Sequence, residues 1–162
     1  MQSMRIQWVG DPGLHQSVVK PALEVLSDPR LAGAAAEFLA ALAHLRSGSM
    51  KDREDAIDEA AKAVESAMKA LCDEHQIQRK GNETAEPLFK LLDDRGVAVH
   101  EADKAVTAIA RIRNHHVAHG QGASVRCVPP GLDDLAVRAA ANALSYLGGL
   151  FPTRSSPRNT RP

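Results

Sequence analysis

The chain of 162 residues carries 20 Lys+Arg against 20 Asp+Glu, with 44% hydrophobic and only 3% aromatic residues. That suits one domain with a real core, excludes a global positive field that gathers nucleic acid, and argues against a base-stacking platform. Two cysteines, Cys72 and Cys127, are too few for a disulfide scaffold or a four-thiolate zinc site. With no long apolar run and no signal-peptide pattern, the expectation is a soluble, cytoplasmic protein.

Alanine clusters at Ala34-Ala35-Ala36, Ala60-Ala61 and Ala139-Ala140-Ala141. Alanine is the best helix former and is depleted in strands, so the fold class is all-α. The first thirteen residues differ: Met4 to Val9 alternate loosely and then meet Gly10-Asp11-Pro12-Gly13, which reads as a short extended arm. Residues 14–151 form the helical domain, and 152–162, with Arg154, Arg158 and Arg161 among Ser, Thr, Asn and Pro, read as a disordered basic tail.

A first helix is predicted from Pro21 to Leu26. Asp28-Pro29 opens a second with a cap and a proline at the first position. Leu31, Ala35, Phe38, Leu42 and Leu45 form its apolar face, and Ser47-Gly48-Ser49 stops it. The third runs from Lys51 to about Ile77, with acids in its first turns and a stripe of Ile57, Ala61, Val64, Met68 and Leu71. Thr84 caps the fourth, which turns Leu88, Leu91 and Leu92 inward and ends at Gly96. The fifth spans Val99–Glu101 to His119–Gly120, and the sixth begins near Leu132. Short connections between such helices point to an up-and-down bundle of five to six helices.

One segment is unlike the rest. Three of the seven histidines fall in Arg111-Ile112-Arg113-Asn114-His115-His116-Val117-Ala118-His119-Gly120. Ala102, Ala105, Val106, Ile109 and Ile112 make the apolar stripe of helix five. At about 100° per residue, Arg113 lies about 40° to one side of Ile109, His116 about 20° to the other, and His119 about 80°. The stripe thus turns from apolar to Arg and His in its last two turns. An unpaired buried guanidinium costs several kcal/mol, so the stripe is expected to enter a groove, a polar pocket or a subunit interface there. Two plainer readings stand beside this. Cations near a helix C-terminus complement its dipole. His115 and His119, four apart, have the spacing to share a zinc ion with Cys127, though no Glu follows His115 as in the HExxH motif.

Arg113-Asn114, four residues and His119 resemble the Arg–polar–x4–His motif of HEPN domains. His119-Gly120-Gln121-Gly122 is similar to the His-Gly-x-Gly of the abortive-infection C-terminal (Abi-C-like) branch, and the Ala63–Lys69 stretch Ala-Val-Glu-Ser-Ala-Met-Lys to its second long helix. The likeness covers about residues 22 to 150. It implies a metal-independent endoribonuclease, of a phage-defence or toxin–antitoxin kind, that uses the ribose 2′-OH as nucleophile and needs no cofactor. Arg113 would stabilise the phosphate, His119 move protons and Asn114 support them. His116 would be auxiliary and Arg111 a further phosphate contact. RNA is the implied substrate, a homodimer with a composite cleft the implied assembly, and an antitoxin or regulatory protein a further partner. The chain departs from the family at 115–118, His-His-Val-Ala, and lacks the tyrosine that partner nucleotidyltransferases modify in some relatives. The alternatives are a non-catalytic HEPN dimer binding RNA, a nucleotide or a protein, and a purely structural helical dimer. Arg79, Lys80, Arg126 and the tail arginines are additional candidate RNA contacts, and Trp8 and Tyr146 candidate stacking or packing residues.

Overall fold

The computed structural model describes residues 15–117 and 127–152. The extended arm, His119, Arg126 and the tail arginines lie outside them. Among the described residues there are six α-helices and no strand, as the alanine pattern predicts. In chain order they are α1 (Lys20–Val25), α2 (Ala32–Ser47), α3 (Met50–Glu74), α4 (Ala85–Asp94), α5 (Asp103–His116) and α6 (Leu132–Gly148). One π-helical turn, His15–Val19, precedes α1, and 3-10 turns, Pro29–Leu31 and His100–Ala102, precede α2 and α5.

The boundaries follow from local chemistry. Asp28 does cap a turn, accepting from Arg30 N at 2.9 Å, but the turn is 3-10 and the α-helix proper starts after Leu31. Gly48, at φ 72°, stops α2 through its N–H to His44 O, and Ser49 caps α3 by accepting from Asp52 N. Helix α3 ends three residues short of the expected Ile77. Gln76 takes a left-handed φ of 55°, its N–H reaches Asp73 O, and Ile77 N donates to Cys72 O at 2.8 Å. This is a Schellman closure, which uses up the last free carbonyls. Gly96 (φ 66°) and Val97 end α4 in the same way. Thr84 occupies the cap position of α4, but its hydroxyl makes no capping bond.

The 25-residue α3 is the axis of the bundle. It buries Ile57, Ala60, Ala61, Val64, Ala67, Met68, Leu71 and Cys72 among α2, α4, α5 and α6. The alanines let the axes approach closely, while Phe38, Phe89 and the leucines fill the gaps. At one end of the bundle Arg30 bonds Asp28 and Glu74 and lies 4.7 Å over the Phe151 ring, joining the start of α2 to the end of α3 and the segment after α6. At the same end α1 and α6 cross at Gly148, where a Cβ would fall 1.8 Å from Val25 Cγ1. Helix α5 runs opposite to both neighbours. Arg111 near its C-terminus meets Glu86 at the start of α4, and Val99 just before it donates to the Tyr146 hydroxyl near the end of α6. The C-terminus of α5 therefore points toward the ends of α4 and α6 at which those helices begin.

Candidate functional site

Helix α5 ends at His116, earlier than expected. Val117 closes the last turn with its N–H on Arg113 O at 2.8 Å. Ala105 is exposed, but the rest of the predicted apolar stripe faces the core: Val106 and Ile109 are buried, and Ala102 and Ile112 are half-buried against it. Arg113 continues inward from it, its side chain only 14% exposed. Asn114 and His115 are solvent-exposed, the direction the wheel assigns them. His116 is half-buried and meets the His115 ring edge-on, with centroids 5.5 Å apart at 71°.

The guanidinium is not left unpaired. Its Nη2 lies 3.0 Å from Oε1 of Glu65, a carboxylate 11% exposed in the middle of α3. The contact is an ion pair without hydrogen-bond geometry, so Glu65 Oε1 is buried with no hydrogen-bond donor of its own. The expectation that this charge must leave the core is thereby modified: a partner within the same subunit compensates it. Glu65 was not foreseen: at about 100° per residue it lies about 40° beyond Ala61, the edge of the stripe of α3, and about 20° from Cys72. The bundle brings this flank of α3 against the apolar face of α5, so the two opposite charges meet. Neither opposed charge is stable alone in such a place.

The other candidates divide. Arg111 is exposed, holds Glu86 at 3.2 Å, and lines a groove of about 290 Å³ between α4 and α5 with Lys90, Asp93, His100 and Asp103. Exposed pairs of this kind contribute little and are readily exchanged for another anion. Arg79 is committed to Asp73 at 2.9 Å, and Tyr146 uses its hydroxyl to accept from Val99 N, so neither is a free contact. His119, Trp8 and Arg126 lie outside the described residues. Cys72 is buried, which pushes its thiol up, and Cys127 is exposed.

Among the described residues one group has metal-ligand atoms within 4.8 Å of one another: His44, Asp52 and Asp55, where α2 turns into α3. Its donors are already used. Asp52 accepts from Ser47, Ser49 and His44, which hold its carboxyl well below the usual carboxylate range, and Asp55 pairs with Lys51 at 2.6 Å. The group is a clip on the helical hairpin.

The structure is thus an all-α bundle that lodges a largely buried arginine beside two histidines at the end of one helix. The model of the family described as HEPN-like domain (Abi_C) matches residues 32–151, and the chain belongs to that family. No curated protein and no solved structure matched it. Among the described residues no helix is long and apolar enough to cross a membrane.

Proposed function

We propose that the chain is a metal-independent endoribonuclease of the HEPN type, acting in abortive infection or as a toxin of a toxin–antitoxin pair. The observation that carries this reading is the inward-facing Arg113 at the end of α5, flanked by His115 and His116, in a chain of the HEPN-like family. The ribose 2′-OH attacks the adjacent phosphorus as its proton passes to a histidine. The P–O5′ bond breaks, and the leaving oxygen takes a proton from a second group. The products are a 2′,3′-cyclic phosphate and a 5′-hydroxyl. Imidazole titrates near neutrality and suits both transfers. Arg113 offers a planar fork that fits phosphate oxygens and the charge that grows on them. His119 is the principal proton carrier, with Asn114 supporting it, His116 auxiliary and Arg111 a phosphate contact further along the strand. One motif supplies one Arg and one principal His, so a two-fold dimer that faces two motifs across one cleft completes the donor and acceptor set.

The test is incubation of the purified chain with RNA in EDTA, beside His119→Ala and Arg113→Gln. Cleavage to cyclic-phosphate ends by the native chain alone is expected. Equal cleavage by all three, or none by any across several RNAs, refutes the assignment. A second reading is favoured by the Glu65 contact, which already occupies one end of the guanidinium: a non-catalytic dimer that binds RNA, a nucleotide or a partner protein. It requires binding that fails in Arg113→Gln, survives His119→Ala and is never followed by cleavage.

A further inference from the structure

We propose that Glu65 is a positioning residue for the anion site: it fixes the Arg113 guanidinium and sets how strongly that group attracts phosphate. The inference deepens the reading above and rests on it. Three observations meet here. Glu65 stands on the buried flank of α3, beside buried Ala61 and Cys72, so its backbone is held within the packed part of the bundle. Its carboxylate meets Arg113 at Nη2, 3.0 Å away. Guanidinium carries five N–H donors, more than one carboxylate can take up, so the same group can also serve a second anion. Finally, Glu65 Oε1 is buried and lacks a hydrogen bond although Nη2 is only 3.0 Å away. A small rotation of the guanidinium completes that bond, so an anion arriving on the opposite side can be met by an arginine that tightens onto Glu65.

The charges have a further consequence. With Glu65 ionised the pair is neutral as a unit, and Arg113 contributes less than a full charge toward phosphate. Replacing the carboxylate by an amide of the same shape returns that charge but removes the anchor. Phosphate binding and correct placement should then separate.

The probe is a fluorescein-labelled, 2′-O-methylated RNA oligonucleotide, which cannot be cleaved, titrated by anisotropy over a salt series. Glu65→Gln is expected to bind it roughly ten times more tightly, as a charge-assisted contact to phosphate is regained. The slope of log Kd against log salt should steepen by about 0.7, the increment for one extra phosphate contact on a single strand. In an Arg113→Gln background the same change should do nothing, because Glu65 acts only through the arginine. On cleavable RNA, Glu65→Gln should lower kcat while lowering KM. Glu65→Asp, which keeps the charge and draws it back by one methylene, should retain the native salt slope and lose kcat; it also serves if the amide variant does not fold. An unchanged slope in Glu65→Gln, an effect that persists without Arg113, or native kcat in Glu65→Asp overturns the proposal. If Arg113→Gln weakens RNA binding while the Glu65 variants behave as native, Glu65 alone is refuted. If Arg113→Gln binds as the native chain does, the anion site itself falls, and Glu65 with it.

Discussion

Removal of one member of the Glu65–Arg113 pair should cost more than removal of both. At 3.0 Å and an effective dielectric constant of about 20, the attraction is about 5 kcal/mol. It opposes a desolvation cost of several kcal/mol for each ion, so the intact pair contributes little net stability. Arg113→Met leaves the Glu65 carboxylate in place without its counter-charge, and Glu65→Leu does the same to the guanidinium. Both side chains keep a little exposure, 14% and 11%, which puts each loss at the low end of the range for broken buried pairs, about 3 kcal/mol. For a chain of this size that lowers Tm by roughly 6–12 °C. The double variant Glu65→Leu/Arg113→Met puts two apolar side chains between apolar neighbours and should be more stable than either single variant. Urea unfolding of all four proteins at neutral pH, checked by thermal scans, measures the cycle. Additive single effects, within about 0.5 kcal/mol, would show that the two groups do not interact and would remove the basis for a held arginine.

Three further outcomes follow from the fold. Asp52 has its carboxyl held well below the ordinary value by Ser47, Ser49 and His44. Its folded pKa is lower than the unfolded value of about 3.9, so its stabilisation is present above about pH 4 and fades as pH falls through the folded value. Asp52→Asn should therefore lower Tm at pH 7, and the gap to the native chain should close in acid; a pH-independent gap contradicts this. Gly148→Ala should destabilise by about 1–3 kcal/mol, because its Cβ meets Val25 at 1.8 Å, and Val25→Ala should recover part of the loss in the same unfolding assay. Gln76→Gly should stabilise by roughly 0.5–1 kcal/mol. A side chain in the left-handed region costs about 1–2 kcal/mol, and glycine's extra freedom in the unfolded chain offsets part of the gain. A lower urea midpoint for that variant refutes it.

Much of the helical layout was legible because it rests on local rules. The Ser47-Gly48-Ser49 stop and the Gly96 terminus need only backbone geometry. The apolar stripe of α5, and the outward facing of Asn114 and His115, follow from 100° steps alone. The misplacements came where tertiary packing overrode local preference. Helix α3 ends early because burying Ile77 holds Gln76 in a conformation its side chain disfavours, and no local pattern marks a glutamine as a helix stop. Glu65 shows the same limit at the site. A periodicity read one helix at a time finds an arginine out of place on α5 and sends it toward an interface. The same reading of α3 leaves Glu65 beyond the edge of its stripe and gives it no role. Only the packing of α3 on α5 shows that the two charges answer each other. The arginine can therefore be placed inward within a single subunit, and the cost of holding it there is met before any phosphate or second copy arrives. In the proposed dimer the cleft need only present an already positioned guanidinium, and the demand that assembly neutralise Arg113 disappears.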